Sequence, residues 1–438
     1  MKQIRRSFLT ACLFAAGVFM HAHSAFADIN WRQCEGTRIR IFSIEHPFSR
    51  DLVRHLDEFE EKTGIQARIE ILPEDVFRLT RFQQLDMGQD IDGFTIMPGV
   101  SKLPYWELGW LMPLNDFINN PLLTSADWDM EDFFLPAMQG ASINGQQIGI
   151  PINIETSLLA YRKDLFTTFK MPVPTSMSDL EVAAGFFHGQ VLNGMEMIGL
   201  TMRGAGASAS SQWVDFLYNF GGSWTNGRGK SKISAPESMA ALRVYGNLLR
   251  KYGPPDAVRI GWVESTALFL EGRAAMIYDS NMFLSLYEDP ERSKVAGKIG
   301  YTLLPGGPAR QQPHVSSWCL SISGISPEAR QKATWLFIQW ATGKKYSLSA
   351  LLQGIPTARA SAWKSAEYQR SDRFPDWSAA SIQSFEQGQP LWNPPVLQVQ
   401  KIRNIVGQAL IKAIQGEQIK EIAEEAMTLW MKQINHDD

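Results

Sequence analysis

Arg38-Ile-Arg-Ile-Phe-Ser-Ile44, the segment Ser49 to Lys62, Gly64, and Ile65 to Leu72 form the stretch that decides the fold. Residues 38–44 alternate with a period of two, as a strand does. Ser49 offers an N-cap hydroxyl, and Leu52, Val53, Leu56 and Phe59 then recur on one helical face. Gly64 supplies the stop, because a glycine accepts the left-handed conformation that ends a helix. Residues 65–72 read as a second strand. Strand, helix and strand at this spacing imply a right-handed crossover and a parallel sheet.

Working outward, Asp90 to Met97 is a third strand, closed by Pro98-Gly99. The alternation restarts near residue 151. Leu158 to Tyr161 is a buried apolar run, Asp179 to Leu192 reads as a helix, and Ile198 to Met202 as a strand. Ala209 to Phe220 and Pro236 to Tyr252 read as helices, the second stopped by Gly253-Pro254-Pro255. Val315 to Ile322 is a strand, followed by helices at Pro327 to Thr342, Pro395 to Gln415 and Ile419 to Ile434. No repeat or low-complexity tether separates the two α/β halves, so short crossing segments must join them.

The N-terminus has the three parts of a secretory signal: basic Lys2, Arg5 and Arg6, an apolar Phe8 to Met20, and Ala25-Phe26-Ala27 as the cleavage site. The mature chain is expected to begin at Asp28, outside the cytoplasm, in the periplasm. Cys12 comes too early for lipoprotein acylation, and Arg5-Arg6 reads as part of an ordinary signal, although a twin-arginine signal stays open. Without the signal, 39 Lys and Arg face 45 Asp and Glu. This mild acidity, with no basic stripe, argues against a nucleic-acid partner. The remaining length exceeds what one core usually supports and implies two domains.

Cys34 and Cys319 remain after cleavage; export permits a disulfide between them but the sequence cannot place them in reach. The histidines His46, His55, His188, His314 and His436 have no ligand spacing, so neither metal nor cofactor is expected. No G-x-S-x-G or H-E-x-x-H occurs. Gly229-Lys230-Ser231 resembles the end of a phosphate loop, but Trp224 stands where its first glycine is required. Residues 86–93 are acidic without the calcium-loop spacing.

Four stretches together resemble a known family. They are Leu52 to Ile65; Gly149-Ile-Pro151 with Tyr161-Arg-Lys-Asp-Leu-Phe166, Pro172 and Pro174-Thr175; Phe269-Leu-Glu-Gly272-Arg-Ala-Ala-Met276; and Ser316 to Ile322 leading into Trp335-Leu-Phe-Ile-Gln-Trp340. Their order and spacing are similar to those of the extracellular solute-binding proteins of ABC importers, in the sugar-handling group. Arg203-Gly204, Trp213 and Gly221-Gly222 are similar to a subgroup that includes polyol binders. The resemblance implies a two-lobed α/β fold, periplasmic-binding-protein-like, with three interlobe crossings and a central cleft that closes by hinge bending. It implies lobe one at about 28–153 plus 317–371 and lobe two at about 154–316 plus 372–438. It also implies a monomer that captures a carbohydrate or polyol and delivers it to ABC permease subunits. A chemoreceptor partner would use the same closed surface.

A sugar presents hydroxyls and flat C–H patches, so its site needs aromatic faces and fixed hydrogen-bond partners. The family places a cleft-facing aromatic at a crossing strand, which selects Trp318. Trp213 follows the Gly/Ser-rich loop of the second half. Asp279, Ser280 and Asn281 end a strand, where ligands of open α/β sheets bind. Glu155 lies at the first crossing, with an N-cap or an interlobe ion pair as its other reading. Glu45 and His46 follow the first strand, where a solvated turn is the plainer reading, and Trp392 stands among prolines near the C-terminus. Arg203 either braces its loop or pairs with an acidic ligand. Glu155 and Asp279 facing one cleft also leave open a secreted carbohydrate hydrolase working with two carboxylates.

Overall fold

The computed structural model describes residues 29–434 except 89, 193 and 227–229. The signal segment therefore lies outside the described residues. Along the chain the strands of the two main sheets are β1 Arg38–Ile44, β2 Gln66–Leu72, β3 Gly93–Ile96, β4 Ile150–Pro151, β5 Ser157–Arg162, β6 Ile198–Thr201, β7 Ala274–Ser280, β8 Ile299–Thr302 and β9 Cys319–Ile322. The helices that matter below are α1 Pro47–Arg54, α2 Leu56–Thr63, α3 Glu74–Asp86, α4 Pro98–Glu107, α5 Met177–Phe187, α6 Gly206–Asn219, α7 Pro236–Tyr252, α8 Glu328–Ala341, α9 Pro375–Gln387, α10 Val399–Gln415 and α11 Ile419–Ile434.

The first sheet runs β2-β1-β3-β9-β4. β1 is parallel to both β2 and β3, with Arg38 opposite Gln66 and Ile44 opposite Leu72. β9 returns from far along the chain and lies antiparallel to β3 and β4. The second sheet runs β6-β7-β5-β8. Its central strand β7 is buried at every position, as expected of a strand covered on both faces.

Each sheet carries its own helical layers. In lobe one Phe42, Phe59, Phe94, Ile322, Trp335 and Phe337 are buried together. In lobe two α6 and α7 pack on the sheet and α10 and α11 pack on α7, burying Trp213, Phe216, Tyr245, Leu410 and Trp430. α9 packs on both β8 of lobe two and the helix Leu135–Gly140 of lobe one. Its Trp377 and Phe385 lie 5.4 and 5.6 Å from Trp363, so one apolar core continues from lobe one to the far face of the second sheet.

The crossings are paired extended chain. Glu155 and Ser316 exchange backbone hydrogen bonds of 2.7 and 2.9 Å, and Ile152 N donates to Trp318 O at 2.9 Å. Val315 N then donates to Gln389 O and Gln389 N to Pro313 O, which lays residue 389 alongside the second crossing. A ribbon of this kind bends without losing its internal bonds, which suits a hinge. Among the described residues no helix is long and apolar enough to cross a membrane.

Several local expectations are revised. The helix expected over 49–62 is two, α1 and α2, divided at His55, whose backbone leaves the helical region. It starts at Pro47 rather than behind a Ser49 cap, since proline suits the first helical position. Ser49 instead bonds Ser43 at 2.7 Å inside the core. The turn at His55 leaves Val53 exposed while Phe59 is fully buried. The helix expected to reach Leu192 ends at Phe187, and Val191–Leu192 forms a short hairpin with Met195–Glu196. Its start is fixed by a reciprocal cap: Ser176 Oγ accepts from Asp179 N, and Asp179 Oδ2 accepts from Ser176 N. Cys34 and Cys319 are both free thiols.

Candidate functional site: a cleft at the hinge

The site is built on the hinge. Trp318 enters it from the second crossing, with its own N–H held by Asn153 Oδ1 of the first crossing at 2.7 Å. Its ring is surrounded on the lobe-one side by Phe77 of α3 at 6.3 Å, Phe48 of α1 at 6.5 Å and His46 at 6.5 Å. The Arg78 guanidinium lies over its ring at 5.9 Å. Trp318 is thus held rigidly by the packing around it.

Glu155 joins the two sides. Its Oε1 accepts from Asn153 Nδ2 at 2.8 Å and lies 3.7 Å from His46 Nε2, while its Oε2 accepts from Ser280 Oγ at 3.3 Å. Burial alone would raise its pKa, but His46, Asn153 and Ser280 outweigh burial and hold it below the usual carboxylate range. These are the contacts of the interlobe reading of Glu155.

Lobe two contributes a second charged pair. Asp279, at the end of β7, is gripped by both Nε and Nη2 of Arg203, the first at 3.1 Å. Arg203 is itself fixed through its backbone: its N–H donates to Gln212 of α6 and its carbonyl accepts from Tyr245 of α7. Burial opposes the charge on Arg203, yet Asp279 more than compensates and raises its pKa. A planar fork on a carboxylate fixes orientation, and the guanidinium edge it leaves can still donate to a hydroxyl.

The sequence candidates fall into groups. Trp318, His46, Glu155, Ser280, Asp279 and Arg203 line up along the hinge and the ends of β1 and β7. Glu45 is exposed and paired to Arg50. Asn281 is spent on the hinge: its Oδ1 accepts from Thr156 N at 3.2 Å and its Nδ2 meets Ser381 of α9 at 3.3 Å. Trp213 is 1 % exposed and packs on Trp224 at 5.5 Å within the lobe-two core. Trp392 sits where the lobes meet, stacked on His314 at 6.2 Å, beneath the Arg403 guanidinium at 5.7 Å and against Gly99 of α4. Sequence reasoning missed Phe77, Arg78, Asn153 and Arg403. Pro73-Glu74-Asp75, a proline followed by acids, was the available start signal for α3, the helix that carries Phe77 and Arg78.

The profile of the family described as bacterial extracellular solute-binding protein matches residues 49–347. The chain belongs to this family. Among curated solute-binding relatives, the mannitol-binding protein of Pseudomonas aeruginosa is 29 % identical over 387 residues, covering 84 % of each chain. The erythritol/L-threitol-binding protein of Mycolicibacterium smegmatis is 25 % identical and covers 76 % of this chain and 72 % of its own. A solute-binding protein of Agrobacterium vitis S4 with bound D-mannitol superposes with a TM-score of 0.75 at 25 % identity, over 92 % of this chain and 99 % of the other. One from Agrobacterium radiobacter K84 in complex with ribitol gives 0.77 at 24 %, over 90 % and 98 %. The two-lobed solute-binding fold thus extends over nearly the whole chain.

Proposed function

We propose that this solute-binding protein is the secreted capture component of an ABC import system and binds a sugar alcohol or related carbohydrate in the hinge cleft. The observation that carries the reading is one rigid aromatic, Trp318, flanked by two oriented charged groups, Glu155 and the Arg203–Asp279 pair, between two lobes. The names of the relatives support the solute class. In this reading the signal is removed after Ala27 and the protein works as a monomer in the periplasm. Lobe one comprises about 28–153 plus 317–371, and lobe two 154–316 plus 372–438.

The cycle follows from the geometry. The open form exposes Trp318 on one side and Asp279 on the other. The solute docks, the 152–156 and 313–318 ribbons bend, and water leaves the cleft. The closed surface differs from the open one, so permease subunits can read occupancy. Micromolar affinity amounts to about −8 kcal/mol, within reach of a few charge-assisted hydrogen bonds and one stacked ring.

A hydrolase would need one carboxyl group raised to serve as an acid. Glu155 is shifted in the opposite direction, and Asp279 is committed to Arg203. A thermal-shift panel of sugars and polyols tests the proposal: a ligand at ~100 times its dissociation constant adds about 2.7 kcal/mol. A stabilising compound recovered unchanged supports capture; one that is consumed supports the hydrolase.

A further inference from the structure

Three guanidiniums converge on the cleft, and one lacks a counter-charge. Arg78 comes from lobe one and lies over Trp318. Arg203 lies at the entrance to α6, and Arg403 of α10 lies over Trp392 at 5.7 Å. Arg403 Nη2 donates to Ala207 O at 3.1 Å and Ser211 Oγ at 2.8 Å, both on α6, and its Nη1 reaches Gln400 Oε1 at 3.4 Å.

Two of the three are neutralised. Arg78 pairs with Glu74 at 2.6 Å and Arg203 with Asp279. Glu155 is occupied by His46, Asn153 and Ser280. Among the described residues no carboxylate forms an ion pair with Arg403, and its Nε is buried without a hydrogen-bond partner. Burial, then the like charges of Arg78 and Arg203, push this guanidinium down to about 10, against a smaller pull from Glu74.

A part-buried cation with no counter-charge is costly. Glu74 and Asp279 already offset Arg78 and Arg203, so the charge left uncompensated between the lobes is that of Arg403. Hydroxyls of a neutral polyol accept hydrogen bonds but bring no charge to offset it.

We propose that the preferred solute is a polyhydroxylated acid, a sugar- or polyol-derived chain with a carboxylate, phosphate or sulfonate at one end. Arg403 binds the acid group, which supplies the counter-charge that no carboxylate among the described residues gives it. The proposal rests on the solute-capture reading of the same cleft and specifies its ligand class.

The test is calorimetric titration of the purified, ligand-stripped protein with D-mannitol, D-mannonate and D-mannitol 1-phosphate at low and high salt. The expected result is an acid that binds tighter than D-mannitol by on the order of tenfold, a margin that shrinks as salt screens it. Carboxylate and phosphate sources are separated by which acid wins. Arg403→Gln reduces affinity for that acid more than for mannitol; the wild-type salt dependence stands as an independent readout if the variant does not fold. D-mannitol binding as tightly as either acid overturns this inference and leaves the capture reading in place. Binding of no compound in this set or in the wider sugar and polyol panel overturns both.

Discussion

The carboxylate of Glu155 lies 3.7 Å from the Nε2 of His46, linking the hinge to the loop after β1. Glu155 is held below the usual carboxylate range because its partners outweigh its burial. A carboxyl group depressed in the folded state contributes stability that is present above its unfolded pKa and lost as pH falls through the folded value. The stability that Glu155 adds should therefore be constant from neutral pH down to the ordinary carboxylate range and then fall. In Glu155→Gln this acid-dependent component should be missing. Parallel melting curves for the two proteins at every pH would contradict the assignment.

Trp318 is 4 % exposed and packed by Phe77, Phe48 and His46. Trp318→Ala should weaken solute binding about tenfold or more and also destabilise the fold by ~3–5 kcal/mol, because it empties a packed site. Trp318→Phe should keep most of the stability while still losing affinity, and titration beside chemical denaturation separates the two effects.

Gly99 carries no side chain where lobe one meets Trp392. A Cβ there would stand 2.4 Å from Trp392 Nε1, closer than atoms can approach. Gly99→Ala should hold the lobes apart. Affinity should fall while the unliganded melting temperature stays unchanged, and X-ray scattering with saturating solute should retain the larger open radius. Wild-type affinity in this variant would remove the contact from the closure mechanism.

Asn281 distinguishes hinge from site. Its amide serves Thr156 and Ser381, so Asn281→Ala should cost about 1–3 kcal/mol of stability from the buried groups left unpaired. Affinity should change little once folding is corrected for. Unaltered stability with lost binding would make it a ligand residue.

The parallel strand pair was legible because residues 38–72 combine two periods, two for the strands and 3.6 for the helices, with a glycine stop. The division at His55 was not, because the apolar spacing of Leu52, Leu56 and Phe59 continues through it; burial of Asp51 against Tyr346 Oη at 2.8 Å ties that turn to a residue far along the chain. Asp279, Ser280 and Asn281 were found by their place at a strand end, yet sequence could not divide them, since Asn281 is claimed by a helix nearly a hundred residues later. Arg403 escaped notice for the same reason. On an amphipathic helix a cation reads as solvated until the tertiary fold sets Trp392 beneath it.

The measurement that bears most directly on the account is calorimetric titration of ligand-stripped protein with a panel of sugars, polyols and their acids, followed by chemical recovery of the solute. One solute per chain, a dissociation constant near the micromolar range and recovery of the compound intact are expected. Consumption of the compound, or binding unaffected by Trp318→Phe and by loss of the Glu155 carboxylate together, would contradict capture in the hinge cleft.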